Sequence, residues 1–213
     1  MGLGEKLKEY HKINSVFKRD EMGKFTTEFA CPEFEFLKDN TWNFEEKVDG
    51  TNIRVIWLGG TNGIEFKGKT DNATIPVPLQ KKLAETFQKE KFLAAFPEAP
   101  QVTLYGEGFG AKIQKGGGNY IRDGVDFVLF DVKVGDWWLV RDDVRDVARK
   151  LGITTVPEIG AGSLQAAIEL TKRGFKSQWG DFPAEGIVLR PKVPLFARNG
   201  DRIITKLKLK DWR

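Results

Sequence analysis

Histidine and cysteine are nearly absent: the 213-residue chain has one of each, His11 and Cys31. A lone cysteine cannot form an internal disulfide, which fits a reducing cytoplasm. A single histidine excludes a multi-histidine zinc or iron centre. A Ser/His/Asp triad would have to rest on His11, which lies in a charged N-terminal stretch and reads as a surface side chain. Long apolar runs are missing as well. Stretches such as Phe127–Phe130 are far too short to cross a bilayer, so no membrane partner is expected. Residues 1–6 carry neither an apolar signal core nor the Ser or Thr of a myristoylation site. No repeat, low-complexity segment or clear linker divides the chain, so one domain over 1–213 is expected. The means of catalysis that remain are lysines, arginines, carboxylates and a hard metal ion. Hydrophobic residues at 40% and charged residues at 30% describe a globular chain with room for a core. The net charge of +4, from 34 basic and 30 acidic residues, permits a polyanionic partner without demonstrating one.

Residues 41–70 read as strands. Trp42 to Glu46 leads into a Val-Asp-Gly-Thr turn, and Asn52–Leu58 is rich in β-branched and aromatic residues. Gly59–Gly63 is a hairpin signal with Ile64–Lys67 as the returning strand. Leu79, Leu83 and Phe87 at i, i+4 and i+8 predict a helix over 79–95, ended by Pro97 and Pro100. Gln101–Tyr105 and Asp126–Val134 read as strands, the second pairing through Gly135-Asp136 with Trp137–Val140. Arg141–Leu151 is a helix stopped by Gly152, and Leu164–Arg173 is another. Glu185–Arg190 and Arg202–Lys210 are strands. The sum is an α+β fold with antiparallel sheets flanked by helices.

Two phosphate-loop patterns occur and neither has the right frame. Residues 63–70 satisfy Gly, four residues, then Gly-Lys-Thr, but Ile64-Glu65-Phe66 reads as strand, and Pro76 and Pro78 break the helix a P-loop must feed. Residues 106–111 match a dinucleotide fingerprint, yet neither a helix nor a βαβ unit frames them. Those glycines read instead as a turn or as places where the backbone comes close to something.

Glu45-Glu46-Lys47-Val48-Asp49-Gly50-Thr51-Asn52 has a different logic. A strand delivers Lys47 into a tight Asp-Gly turn, so its amine projects from a fixed backbone. A lysine becomes a nucleophile only when deprotonated, which nearby cations or desolvation favour. Lys206 and Lys208 alternate on one strand and therefore face the same side. Glu107 and Glu185 sit beside glycines near strand ends, where carboxylates can hold a hydrated magnesium ion.

The order of these elements resembles the covalent nucleotidyltransferase superfamily of ATP-dependent ligases and mRNA-capping enzymes. Lys47–Gly50 matches its Lys-x-Asp-Gly motif, and Tyr105-Gly106-Glu107-Gly108 its glycine-flanked glutamate. Residues 126–131, Asp-Phe-Val-Leu-Phe-Asp, match its aromatic strand. Glu185-Gly186-Ile187-Val188 and Lys206-Leu207-Lys208 match the two closing motifs. Within the superfamily the likeness is greatest to phage-type RNA ligases that seal nicked duplex RNA. Asn52 stands where DNA ligases and capping enzymes usually carry arginine. Arg54 shares its strand face, and Lys69 in Gly68-Lys69-Thr70 stands for the arginine usual at the next basic position, without arginine's bidentate fork.

The resemblance implies an adenylyltransferase domain of the ATP-grasp-like ligase type without a C-terminal OB domain, working in RNA repair in a cytoplasm. It implies that Lys47 attacks the α-phosphorus of ATP and forms a lysyl–AMP. AMP then passes to an RNA 5′-phosphate and is displaced by a 3′-hydroxyl. Catalytic roles fall to Lys47, Glu107, Glu185, Lys206 and Lys208, with Glu107 and Glu185 holding Mg2+ (or Mn2+). Nucleotide binding falls to Glu46, Val48, Asp49, Gly50, Asn52, Arg54, Lys69 and Phe127, the last stacking on the purine while Glu46 reads its edge. RNA binding is expected to depend on the domain surface, including Lys112 and Lys115, or on an accessory protein or domain. The competing readings are a minimal DNA ligase, a capping-type guanylyltransferase, a non-catalytic nucleotide or nucleic-acid-binding module, and a P-loop NTPase resting on Lys69.

Overall fold

The computed structural model describes residues 9–60, 63–99 and 101–212. Residues 1–6, Thr61 and Asn62 at the tip of the expected hairpin, and Pro100 lie outside them. In chain order the first elements are β1 (Asn14–Ser15), β2 (Phe17–Arg19), β3 (Phe25–Phe29), α1 (Pro32–Phe36), β4 (Trp42–Lys47), β5 (Thr51–Trp57) and β6 (Ile64–Lys67). Then come α2 (Val77–Thr86), α3 (Lys89–Ala95), β7 (Val102–Gly110), α4 (Gly117–Tyr120), β8 (Val125–Val134), β9 (Trp137–Trp138) and α5 (Arg141–Leu151). The chain continues through β10 (Thr154–Thr155), β11 (Glu158–Gly162), α6 (Leu164–Arg173), β12 (Gly186–Pro191) and β13 (Thr205–Lys208), then a 3-10 turn over Leu209–Trp212. Contacts divide it into two units, one of Gly50–Thr155 with Tyr10 and His11, the other of Lys12–Asp49 with the chain from Val156 onward.

The Gly50–Thr155 unit is built on a sheet ordered β10-β8-β7-β5-β6, with β9 paired to β8. Along β5, Ile53, Val55 and Trp57 alternate onto one face, where they meet Leu79 and Leu83 of α2 and Val144, Val147 and Leu151 of α5 in a buried core. α5 is favoured at both ends, with Asp142 and Asp143 in its first turn and Arg149 and Lys150 in its last. Gly152 ends it at φ 71°, a left-handed conformation that costs glycine nothing. The helix expected over 79–95 is two helices. After Thr86 the backbone of Phe87 and Gln88 turns extended, which lets Phe87 and Phe92 both reach the core. β7 also runs beyond Tyr105 to Gly110, through the glycines expected to turn.

The second unit holds a sheet ordered β1-β13-β12-β4-β11 and a β2-β3 hairpin. Trp42 and Phe44 of β4, Ile187 and Leu189 of β12 and Leu207 of β13 share its core face, covered by Leu164, Ala167 and Ile168 of α6. Ser163 caps α6 by accepting a hydrogen bond from the Ala166 amide at 3.2 Å. The strand expected over Arg202–Lys210 is shorter, because the chain tightens into the 3-10 turn after Lys208. No helix among the described residues is long and apolar enough to cross a membrane.

Candidate active site

Register puts the closing lysines beside Lys47. Gly186 of β12 lies between Lys47 of β4 and Lys208 of β13, and Val188 lies between Glu45 and Lys206. Lys47, Lys206 and Lys208 therefore share the sheet face opposite the core. Glu185, immediately before β12, bridges two of them: Lys47 Nζ donates to its Oε2 at 2.7 Å and Lys208 Nζ to its Oε1 at 2.6 Å. The side chains of Lys47 and Glu185 are 21% and 15% exposed, so the amine is reachable while most of the water around the pair is excluded. Charge-assisted hydrogen bonds of this kind are worth about 1.5–3 kcal/mol each. Gly186 makes the close strand approach possible, since a Cβ there would lie 2.1 Å from the Leu207 carbonyl oxygen.

Glu46 points the other way, into the core face, and is 1% exposed. Its carboxylate accepts from Ser177 Oγ at 2.5 Å and from the Gln178 amide at 2.8 Å, which fastens the loop after α6. On the lysine face, Arg190 Nε donates to Glu45 Oε2 at 2.9 Å. Sequence inspection alone missed Ser177, Gln178 and Arg190. Each contact spans more than 130 positions and carries no local signal.

In the other unit, Asn52 of β5, Glu107 of β7 and Val128 of β8 lie side by side across three strands. They occupy the sheet face away from the helices. The Asn52 side-chain oxygen is buried and has no hydrogen-bond partner among the described residues. Gly50 enters this sheet where no side chain fits: a Cβ would lie 2.2 Å from the Gly108 carbonyl oxygen and 2.8 Å from Glu107 Cγ. Its own carbonyl accepts from Gln114 Nε2 at 3.1 Å. Val48 is buried and Asp49 half-buried, at the end of the Lys47 unit.

Two of the expected nucleotide residues, Phe127 and Arg54, lie in packed surroundings. Phe127 is 2% exposed and lies on the helix-covered face with Ile53 and Leu79, its ring over Gly106 and edge-on to Phe87 at 5.3 Å. Strand alternation thus sends Phe127 into the core, away from the Asn52–Glu107 face, and leaves no ring face for a purine. Arg54 lies on that polar face but is fully buried, donating to the Gly68 carbonyl at 2.9 Å and to Asp71 at 2.8 Å. Its guanidinium fastens the 68–71 turn and offers no open side to a nucleotide. Lys69, in that turn, is exposed. The turn follows strand β6, and the next helix starts only at Val77, so the Gly63–Thr70 pattern lacks the helix a P-loop requires.

No group of three His, Cys, Asp or Glu side chains poised for a metal occurs among the described residues. Glu107 in one unit and Glu185 in the other each carry the hard oxygen donors that suit Mg2+, an ion that keeps several waters and needs few protein carboxylates.

A family model described as RNA ligase matches residues 40–208. The chain belongs to the RNA ligase family. The matched span begins just before β4 and ends with Lys208, taking in all five candidate catalytic residues. A comparison with curated proteins gives no match. Among solved structures, the chain is similar to RNA ligase from Naegleria gruberi. A lysine-to-alanine variant with ATP and Mn is 18% identical, with a TM-score of 0.62, over 97% of this chain and 64% of that one. The same protein with PPi is 18% identical, with a TM-score of 0.63, over 93% of this chain and 61% of that one. A lysine-to-methionine variant with AMP and Mn gives 18% and 0.63, over 97% and 59%. This RNA ligase family member thus spans less than two thirds of those chains, and at such identity the likeness establishes the fold.

Proposed function

We propose that this chain is an ATP-dependent RNA ligase that joins 3′-hydroxyl and 5′-phosphate ends through a lysyl–AMP on Lys47. The observation that carries the reading is the Glu185 bridge, which holds the Lys47 amine and the Lys208 ammonium on one carboxylate, with Lys206 on the same sheet face. In the first step the Lys47 ammonium loses a proton to water and its nitrogen forms a bond to the α-phosphorus of ATP. The bond from that phosphorus to pyrophosphate breaks, and the nitrogen sheds a second proton to leave the phosphoramidate. Glu185 orients the amine for attack. Lys206 and Lys208 offset the negative charge that builds on the phosphoryl oxygens, an electrostatic contribution set in place before the reaction. AMP next passes from Lys47 to the 5′-phosphate of an RNA strand, and a 3′-hydroxyl oxygen then attacks that phosphate and expels AMP.

Asn52, with its unpartnered oxygen, is the residue of the Gly50–Thr155 unit best suited to a ribose hydroxyl. Glu46 acts as a positioning residue that sets the Ser177–Gln178 loop. Glu107 and Glu185, each within its own unit, are the carboxylates that would hold hydrated Mg2+ or Mn2+, which supplies countercharge to a triphosphate. Nicked duplex RNA is the proposed substrate arrangement, and RNA repair in a cytoplasm the proposed setting.

The test is strand joining on a denaturing gel, with RNA and DNA nicks compared and ATP or GTP supplied. Sealing of RNA that needs ATP and is lost in Lys47→Ala supports the proposal. Preference for DNA nicks, for GTP, or no sealing by folded protein overturns it.

A further inference from the structure

One sheet edge, meeting the Glu185 bridge at Lys208, carries a concentration of positive charge. A groove of about 630 Å³ runs along β1 and β13, lined by Lys12, Lys18, Arg19, Lys206, Lys208 and Lys210 against one carboxylate, Asp211. Lys12 and Lys210 are exposed and have no ion-pair partner among the described residues. Among the described residues Lys18 has one ion-pair partner, Glu28, in a pair whose side chains are 57% and 70% exposed, so water and salt screen it. Asp211 does not cancel the groove. It is 4% exposed and occupied by Arg19 at 2.9 Å and by the Lys208 amide at 3.1 Å, so it anchors the groove wall.

A second open pocket of about 570 Å³ shares Phe17 and Asp211 with this groove. Its wall is aromatic: Phe25 and Trp212 meet at 5.1 Å and Phe17 and Phe25 at 5.8 Å, all three partly exposed. Cations sit on these rings, Arg19 at 4.4 Å from Phe25 and Lys172 at 5.0 Å from Trp212. Lys24 adds a further exposed amine. A basic track continuous with an aromatic wall is the chemistry that holds a single-stranded polynucleotide, phosphates on the lysines and unpaired bases on the rings. A duplex presents phosphates but keeps its bases stacked inside, so the aromatic wall would gain nothing from it.

We propose that the groove from Lys12 and Lys210 to Phe25 and Trp212 binds single-stranded RNA leading away from the Lys206–Lys208 end of the site. The proposal rests on the RNA ligase reading and deepens it: beside the nicked duplex being sealed, the enzyme grips an unpaired strand that flanks it. Lys206 and Lys208 contribute the end of the track, and Lys12, Lys18 and Lys210 extend it.

The experiment measures fluorescence anisotropy of a labelled single-stranded 12-mer RNA, the same RNA as a duplex, and polyglutamate as competitor. Formation of protein–AMP from labelled ATP is followed in parallel. The wild type is expected to prefer the single strand. Lys12→Glu combined with Lys210→Glu is expected to weaken that binding at least about tenfold and to reduce the slope of log K against log salt by about 1.4, two single-strand phosphate contacts. Phe25→Leu, which keeps an apolar side chain for folding, is expected to weaken single-strand binding about fivefold or more and to leave duplex binding unchanged. Protein–AMP formation stays at the wild-type level in both variants. Wild-type RNA affinity in the charge-reversed variant overturns the proposal, as does equal loss of single-strand and duplex binding in Phe25→Leu, or displacement of RNA by polyglutamate at equal concentration. Loss of protein–AMP in the wild type itself would instead overturn the ligase reading, so the two failures are distinguishable.

Discussion

Arg54→Met separates a nucleotide ligand from a structural fastener. The Arg54 side chain is fully buried, with Nε donating to the Gly68 carbonyl and a terminal nitrogen to Asp71. Methionine refills part of the stem volume, so packing loss is small and the cost is chiefly polar. The buried Gly68 carbonyl loses its donor, a penalty of about 1–3 kcal/mol. The Asp71 side chain, 38% exposed, recovers water once its partner is gone, which limits the ion-pair loss to about 1 kcal/mol. The sum is about 3 kcal/mol, or a fall in Tm of roughly 6–12 °C for a chain of this size. Differential scanning calorimetry measures it, with ATP binding at low temperature by isothermal titration as companion. Arg54→Met is expected to melt early and to bind ATP within about threefold of wild type when folded. An unchanged Tm together with lost ATP affinity would refute this reasoning and return Arg54 to the nucleotide site.

Three other expectations follow from the geometry. Gly186→Ala forces a Cβ against the Leu207 carbonyl oxygen, so β12 and β13 must separate, costing about 1–3 kcal/mol and displacing Lys206 and Lys208; native stability and full protein–AMP formation in this variant would contradict it. Glu46→Ala leaves Ser177 and the Gln178 amide without their acceptor, and a loss of about 2–4 kcal/mol in urea unfolding is expected, against none if the carboxylate only served a ligand. Burial pushes the Cys31 thiol up, with the neighbouring Glu33 adding to the shift. The unfolded chain therefore loses its thiol proton first as pH rises. The contribution to stability is complete below the ordinary thiol pKa and declines above it. Alkylation by iodoacetamide at pH 8 should be slower in native protein than in urea, and equal rates would contradict it.

Local pattern made much of the fold legible. The α5 and α6 boundaries follow from apolar spacing and a following glycine, and β4, β5 and β6 from β-branched and aromatic runs. The 79–95 helix reads as continuous because Leu79, Leu83 and Phe87 keep the helical period. The break after Thr86 is set by the tertiary demand that Phe87 and Phe92 meet the same core. The short strands β1, β2 and β3 hold few residues and take their stability from distant partners, Asn14 pairing with Thr205 for one. At the site, alternation alone places Lys206 and Lys208 on one face, but their place beside Lys47 depends on the β4-β12-β13 register. The same alternation decides Phe127 and Arg54. A motif match names a residue without saying whether its side chain points to core or solvent, and the pairing of Gly106 and Glu107 with Leu129 and Val128 fixes that direction.

The central claim is that Lys47 accepts AMP. Protein incubated with ATP and Mg2+ is digested and analysed by mass spectrometry for a peptide carrying an adenylyl adduct. The adduct is expected on Lys47 alone, removed on addition of pyrophosphate and absent from a folded Lys47→Ala variant. An adduct on another lysine, or none from protein shown to be folded and free of prior adenylylation, would contradict it.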